Sequence, residues 1–172
     1  KAQEKADRRT QLVDVMEMAV RHYRMMLNTS QGSAARAYLE RRGLDEGARD
    51  RFEIGFAPEG WQGLWDHLTA QGVAPELIVG AGLAKPSAKG GKPYDTFRDR
   101  IMFPIRDTRG RTIGFGGRVM ANEEPKYLNS PETVLFHKGR ELYGLYEARQ
   151  ALRSIDRLVV VEGYMDVVGL AR

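Results

Sequence analysis

A carboxylate follows an apolar run near the carboxyl end of the chain. The aliphatic run Leu158–Val161 leads into Glu162 and Gly163, and Asp166 follows about one helical turn later. A β-branched run of this kind is typical of a buried parallel strand, which we predict over Arg157–Val161. The chemistry of open α/β sheets gathers at the carboxyl ends of their strands, so Glu162 lies where a catalytic carboxylate would be expected.

Two roles are open for each acidic residue of this motif. Glu162 could interact with the dipole of the following helix, which is worth about 0.3–1 kcal/mol. Glutamate is not a favoured N-cap residue, however, and this favours a functional role. Asp166 can equally be an ordinary first-turn acid. Because magnesium sites that handle phosphates use two or more carboxylates, we expect the remaining ligands to lie outside this sequence and the chain, which ends at Arg172, to be a truncation.

Basic residues concentrate in the middle of the chain. Residues 85–140 contain 12 Lys and Arg against 6 Asp and Glu, whereas the other residues contain 15 against 17. Such a segment forms either a solvated charged face or a surface for a polyanion, on which each neutralised phosphate releases counterions. Charge alone does not choose among nucleic acid, nucleotides and an acidic partner.

Composition excludes several classes of site. The 172 residues, 42% hydrophobic and 29% charged, are enough for a folded core. Cysteine is absent, which excludes disulfides, thiolate zinc sites and cysteine nucleophiles within the chain. His22, His67 and His137 lack the spacing of a histidine metal site. No signal peptide or apolar run of membrane-spanning length is visible, so we expect a soluble, cytoplasmic protein without membrane contacts.

The hydrophobic pattern predicts helices first and strands later. Apolar residues at helical spacing predict a helix over residues 11–27, and Ser33–Glu40 predicts a second, ended by Gly43. Ile101–Ile105 and Thr112–Gly116 flank a turn sequence and predict a β-hairpin, whereas residues 119–140 are predicted to be irregular. The further predictions are a short helix capped by Asp45, a strand over Phe52–Ala57, a loop over Lys85–Pro93, and helices over Trp61–Gln71, Pro75–Val79, Glu147–Arg153 and Tyr164–Ala171.

The motif at the end of the predicted strand resembles a known domain. Residues 159–168, VVVEGYMDVV, resemble the first motif of the Toprim domain of primases, topoisomerases and some nucleases. From about residue 11 onward the chain is similar to the bacterial replicative primase of the DnaG type. The motifs that carry this similarity are Tyr38–Leu44, Phe52–Trp61, Arg100–Pro104, Ile113–Arg118, Pro125–Pro131, Phe136–Gly139 and Leu142–Tyr146.

The resemblance implies an α/β fold in two parts. Residues 1–140 would form a mixed α+β amino-terminal subdomain with antiparallel hairpins, which is basic and binds the template. Residues 141–172 would be the first βα unit of a truncated Toprim-type parallel sheet. Glu162 would be the catalytic acid of a Mg²⁺ or Mn²⁺ site, either as a ligand of the metal or as a general base. The family's second acid, its Asp-x-Asp pair and its zinc-binding domain are absent from this sequence.

The activity that the resemblance implies is DNA-directed synthesis of short RNA primers by metal-dependent nucleotidyl transfer. The partners would be single-stranded DNA, ribonucleoside triphosphates, the RNA primer and, through a domain absent here, a replicative helicase. Since the Asp-x-Asp pair is absent, we expect the chain alone to be inactive in synthesis.

The resemblance also implies roles for eight further residues. Arg118, Lys126, Asn129 and Lys138 match positions that bind nucleotide and template phosphates, although a loop lysine is also commonly just solvated. Trp61 could stack on a base, which is worth about 1–3 kcal/mol, or belong to the core as we expect of Trp65. The positions that match the family's single-stranded DNA groove are Arg42, Trp61, Arg98 and Arg100.

The sequence leaves two alternatives open. One is a non-catalytic module that binds single-stranded nucleic acid. The other is a different Toprim enzyme, a topoisomerase or a nuclease, although the motifs PKYLNSP and FHKGRELYGLY do not fit those families and a topoisomerase needs a catalytic tyrosine in a separate domain. An Asp-x-Asp pair after a second apolar strand in the continuation of the gene would decide for an enzyme.

Overall fold

The computed structural model describes residues 1–121, 124–152, 154, 157, 159, 161 and 163–171. Its helices are α1 (Ala2–Leu27), α2 (Ser33–Arg41), α3 (Glu46–Arg51), α4 (Gly63–Ala70), α5 (Pro75–Gly80), α6 (Leu145–Ala151) and α7 (Tyr164–Leu170), with short 3₁₀ turns at Ser30–Gly32 and Lys138–Arg140. Its strands are β1 (Gly55–Ala57), β2 (Ala84–Lys85), β3 (Tyr94–Asp95), β4 (Arg100–Arg106), β5 (Thr112–Arg118) and β6 (Tyr127–Asn129).

The central sheet is antiparallel, with the strand order β1-β4-β5-β6, and β2 and β3 form a separate two-stranded ribbon. Its register places Phe103, Gly116 and Asn129 in one row across three strands. The next row on the same face contains Ile101, Arg118 and Tyr127, two residues further along.

The long helix α1 packs against the sheet and forms much of the core. Tyr23 meets Phe115 of β5 edge to face, with ring centres 5.3 Å apart. Strand β1 approaches the same helix closely, because a Cβ on Gly55 would lie 2.5 Å from the Cβ of Tyr23. Glycine at position 55 therefore permits the contact between helix and sheet.

Most of the predicted elements are confirmed, but several differ in extent. The strand predicted over Phe52–Ala57 begins only at Gly55, because Phe52 ends α3 and Glu53 has a positive φ. The β2–β3 ribbon has no counterpart among the predicted strands, and β2 includes Lys85 of the predicted loop. The helix predicted over Glu147–Arg153 is observed over Leu145–Ala151, and position 153 lies outside the described residues.

Helix α1 begins at Ala2, before the apolar stripe that predicted it, because the polar residues of its exposed first turns are good helix formers. Strand β6 lies in the segment predicted to be irregular. It has three residues and depends on pairing with β5 and on the bond from the Phe115 amide to the Ser130 hydroxyl, 2.8 Å long. The strand over Arg157–Val161 includes positions outside the described residues and stays a prediction.

Among the described residues, no helix is both long and apolar enough to cross a membrane.

Two histidines that are distant in the sequence stack on each other. The ring centres of His22 on α1 and His67 on α4 are 4.3 Å apart, with an angle of 32° between the planes. Within the described structure His22 is 8% exposed, and its Nδ1 has no hydrogen-bond partner. Burial, with a smaller contribution from the charge of His67, lowers the pKa of His22 from 6.5 to about 4.

This histidine pair makes stability depend on pH. Between pH 6.5 and about 4 the unfolded chain takes up a proton at His22 that the folded chain does not, so the free energy of unfolding falls as the pH falls. We expect a loss of about 2–3 kcal/mol from this residue across that window. Urea unfolding at pH 7 and pH 4.5 measures it, and His22→Phe, which keeps an aromatic ring, should remove that part of the loss. An identical pH dependence in the variant would contradict the assignment.

Candidate nucleic-acid interface

One end of the central sheet collects basic candidate residues. Arg100 begins β4 and Arg118 ends β5, and the antiparallel register brings these strand ends together. Lys126 immediately precedes β6, where its carbonyl accepts the Val119 amide at 3.0 Å. Nη1 of Arg100 donates to the Gly117 and Pro125 carbonyls, at 3.4 Å each. Strand pairing and these hydrogen bonds thus bring Arg100, Arg118 and the backbone of Lys126 to the same end of the sheet.

An arginine stacks on an exposed tryptophan beside this end of the sheet. The guanidinium of Arg98 lies 4.0 Å from the ring centre of Trp61 and 5.4 Å from that of Tyr94. The Trp61 side chain is 58% exposed, whereas Trp65 is 6% exposed and lies in the core as expected. The Asp95 amide donates to the Trp61 carbonyl at 2.7 Å, and Arg98 donates to the Asp95 carbonyl at 2.5 Å. These bonds hold the indole at the surface.

A buried carboxylate fixes the helix that follows Trp61. Asp95 is 4% exposed, and its two oxygens accept the backbone N–H groups of Leu64 and Trp65, each at 2.9 Å. Burial raises the pKa of Asp95, and the two amide bonds oppose that rise. Asp95 therefore ties the start of α4 to the β2–β3 ribbon and supports the tryptophan indirectly.

Arg118 lies between two tyrosine rings. Its guanidinium is 5.5 Å from the ring centre of Tyr38 on α2 and 5.3 Å from that of Tyr127 on β6. Its Nε donates to the Tyr127 hydroxyl at 3.1 Å, and an Nη donates to the Val119 carbonyl at 2.6 Å. Arg42 lies over the same Tyr38 ring, at 5.3 Å. Tyr38 thus brings Arg42 and Arg118 into one cluster.

The cluster extends to the motif at the carboxyl end of the chain. A Cβ on Gly163 would lie 3.2 Å from the Tyr127 hydroxyl, so the residue directly after Glu162 packs against the partner of Arg118. The hydroxyl of Tyr164 donates to Oδ1 of Asn129, which is exposed at the end of β6. Glu162 itself lies outside the described residues, and its catalytic role stays a prediction. Asp166 is exposed in the first turn of α7.

Lys138 lies in a different environment from the other candidates. Its backbone amide donates to the Glu132 carboxylate at 2.8 Å, a bond that lowers the pKa of this carboxyl group. The same segment contacts the start of α1, because Arg9 donates to the Val134 carbonyl at 3.0 Å. Pro131 lies against Gly82 before β2. The segment around Lys138 thus contacts the start of α1 and Gly82, whereas the other candidate residues lie near Arg118 or Trp61.

A metal site is not complete in the part of the chain that the structure describes. No group of three or more His, Asp and Glu side chains there could hold a metal ion. The described residues therefore do not by themselves fit the Mg²⁺ or Mn²⁺ site that the resemblance implies.

Four tyrosines of this surface were missed by sequence reasoning. Tyr38, Tyr94, Tyr127 and Tyr164 contact the candidate residues, but an isolated tyrosine at helix or strand spacing is indistinguishable from a core residue. For Tyr127 a signal existed, because it lies between the candidate residues Lys126 and Asn129 in a single motif.

Comparison with known proteins identifies the family to which the chain belongs. Residues 22–149 match the family of the DNA primase catalytic core, N-terminal domain, and the chain belongs to that family. The DNA primase of Pseudomonas putida KT2440 is 54% identical over 163 residues, which are 94% of this chain and 24% of that protein. The DNA primase of Escherichia coli K12 is 50% identical over 164 residues, 95% of this chain and 28% of that protein. The chain thus spans about a quarter of the length of these relatives.

Comparison with solved structures supports the same family, because the fold of this chain matches that of a primase catalytic domain. A DnaG primase catalytic domain bound to single-stranded DNA superposes with a TM-score of 0.87 at 51% sequence identity, covering 96% of this chain and 51% of that one. The expected resemblance is confirmed, and so is the fold class, a mixture of helices and antiparallel strands.

Proposed function

We propose that this chain binds the single-stranded template in a DNA primase that synthesises RNA primers. The observation that carries the proposal is the surface formed by Trp61, Tyr94, Arg98, Arg100, Arg118 and Tyr127, called the template surface below. Its exposed indole, held under a guanidinium 4.0 Å away, lies beside further arginines at one sheet end. The solved primase domain bound to single-stranded DNA supports the same choice of ligand.

The chemistry of the template surface suits a single strand. Bases of any identity stack on aromatic rings, and a basic groove follows the backbone. Guanidinium groups pair with phosphate oxygens through two parallel N–H bonds, and those of Arg98 and Arg118 are already oriented by aromatic rings. Binding should therefore tolerate different sequences and weaken as salt rises.

The division into two parts belongs to the same proposal. Residues 1–140 form the template-binding subdomain, with Lys126, Asn129 and Lys138 near nucleotide or template phosphates. Residues 141–172 begin a Toprim subdomain in which Glu162 ligates Mg²⁺ or Mn²⁺, the ions that would supply charge neutralisation during nucleotidyl transfer. The packing of Gly163 against Tyr127 supports this arrangement, because it brings the backbone next to Glu162 toward Arg118. Ribonucleotides, RNA primer and a replicative helicase are the proposed partners, in the cytoplasm.

Two measurements test the proposal. Fluorescence anisotropy of a labelled single-stranded oligonucleotide should show binding by the chain, with a logarithmic salt slope of about −0.7 per phosphate contacted. In the protein at its natural length, template-directed RNA synthesis should be abolished by Glu162→Gln while DNA binding persists. Binding without synthesis by the natural-length wild type would instead support a non-catalytic module, and absence of both would refute the proposal.

Trp61 gives a prediction specific to base stacking. Trp61→Ala should weaken single-stranded DNA binding about tenfold, because one stacked base contributes about 1–3 kcal/mol. Trp61→Phe should retain most of the affinity, and neither variant should change thermal unfolding much, since the side chain is 58% exposed. Met25→Ala is the matched control, because Met25 is 51% exposed on α1. Equal affinities for Trp61→Ala and the wild type would remove Trp61 from the template surface.

A further inference from the structure

Tyr164 crosses three strands of the sheet along a single row. Its ring stacks on Phe103 of β4, with centres 5.2 Å apart and an angle of 14° between the planes. It continues over Gly116 of β5, where a Cβ would lie 2.2 Å from two of its ring atoms. Its hydroxyl then reaches Oδ1 of Asn129 on β6. Because these three residues are paired in register, the tyrosine connects helix α7 to all three strands.

Other aromatic rings fix the direction of the Tyr164 ring. Tyr143 meets it edge to face at 4.7 Å and 88°, and Tyr127 lies at 5.8 Å and 57°. The Tyr164 ring is stacked on Phe103 and fills the space over Gly116, where a side chain would not fit. The ring therefore has little freedom to turn, and its hydroxyl has little freedom to point elsewhere. The bond to Asn129 is therefore set by packing rather than by the flexible amide.

This bond determines what Asn129 can present to a ligand. An asparagine amide has one oxygen that accepts and one nitrogen with two N–H donors. Tyr164 occupies the oxygen, so the nitrogen is turned away from Tyr164 at an exposed strand end. Held this way, Asn129 is a donor, and the group that suits it is an acceptor.

The neighbouring row indicates which acceptor this is. Arg118 lies two residues after Gly116 on β5, and Tyr127 lies two residues before Asn129 on β6. This spacing corresponds to about 7 Å along a strand. A phosphodiester or an ionised nucleotide phosphate paired with Arg118 presents oxygen acceptors to its surroundings at neutral pH. Asn129 thus lies within reach of an anion bound beside it.

We propose that Tyr164 is a positioning residue that holds the Asn129 carbonyl so that the amide N–H donors face a phosphate oxygen at the template surface. The inference rests on the proposed function. The phosphate can belong to the DNA template or to the incoming ribonucleotide, and the chemistry of recognition is the same for both. Tyr164 itself contacts neither of them.

A double-mutant cycle tests the coupling. Tyr164→Phe keeps the ring and removes the hydroxyl, and Asn129→Ala removes the amide; both are combined in the double variant. Anisotropy with single-stranded DNA reports the template arm, and the KM for ribonucleotides in the natural-length protein reports the nucleotide arm. We expect each single variant to lose about three- to tenfold in the same arm, as for one hydrogen bond, and the double variant to lose no more than Asn129→Ala alone.

Controls separate positioning from folding. Thermal unfolding should show that Tyr164→Phe remains folded, and Asn28→Ala, at an exposed asparagine on α1's carboxyl end, should leave both arms unchanged. In ¹⁵N NMR spectra of the free protein, the chemical shifts of the Asn129 side-chain amide should differ between Tyr164→Phe and the wild type, because the variant lacks the hydrogen bond to Oδ1. Three results would overturn the inference: losses that multiply in the double variant, an affinity and KM of Tyr164→Phe equal to those of the wild type, or an unchanged Asn129 amide resonance. In each case, binding and synthesis by the wild type would leave the proposed function standing. A wild type that neither binds nor synthesises would refute both.

Discussion

Arg106→Ala should lower the free energy of unfolding at pH 7 by about 3–5 kcal/mol, a large share of the stability of an ordinary domain. The Arg106 side chain is 9% exposed and pairs with Glu53 at 2.6 Å and with Glu147 at 3.6 Å. Glu147 is 5% exposed. Without the arginine, a buried carboxylate would lose its nearby positive charge, and that uncompensated charge is the main cost.

The pH dependence of this variant follows from the same cause. Burial already raises the pKa of Glu147 above 4.5, and Arg106 opposes the rise. Removing Arg106 raises that pKa further, so the folded variant binds more protons than its unfolded chain as the pH falls toward 4.5. The destabilisation should therefore shrink at acid pH, and Arg106→Ala combined with Glu147→Gln should be more stable at pH 7 than Arg106→Ala alone.

Urea unfolding with a matched control measures the effect. Arg24 pairs with Asp50 at 3.2 Å, but these side chains are 37% and 63% exposed. Arg24→Ala should therefore cost no more than about 1 kcal/mol. Equal losses for Arg106→Ala and Arg24→Ala would contradict the importance of the buried pair, which joins β4 to α6.

Arg118→Ala should weaken binding of single-stranded DNA by about 10- to 100-fold, the range for a hydrogen bond to a charged group. Its salt slope should become shallower by about 0.7 for each phosphate that the variant no longer neutralises. Arg118→Lys keeps the charge but loses the planar group that lies between Tyr38 and Tyr127, so it should restore the affinity only in part.

The control for Arg118 lies at the opposite end of the same hairpin. Arg109 is an exposed cation in the β4–β5 turn, and Arg109→Ala removes the same net charge. Anisotropy at several salt concentrations should show that Arg109→Ala binds single-stranded DNA with an affinity near that of the wild type. Equal losses in the two variants would show that binding responds to net charge rather than to the template surface.

The sequence predicts the hairpin well because its signal is local. Strand β4 is apolar almost throughout and is followed by a turn sequence, and both strands are buried in the structure. Strand β6 has no comparable signal, since three residues acquire their conformation by pairing with β5. The conformation of β6 therefore depends on pairing with residues that are not its neighbours in the sequence.

The candidate site shows the same division. Motifs indicate the basic residues and Trp61, but the exposures of Trp61 and Trp65, 58% and 6%, depend on tertiary packing, because only Trp65 belongs to the core cluster. The bond from Tyr164 to Asn129 joins residues 35 positions apart and depends on the register of three strands. Periodicity within one segment carries no information about such contacts.

Photochemical cross-linking is the most direct test of the template surface. A single-stranded oligonucleotide that carries iodouracil would be irradiated with the chain, and the modified residues would be identified by peptide mass spectrometry. We expect cross-links at Trp61 and at Tyr94, whose ring centres are 5.6 Å apart, and we expect them to be lost at high salt. Cross-links that appear only in α1, with none at Trp61 or Tyr94, would show that single-stranded DNA does not bind at the template surface.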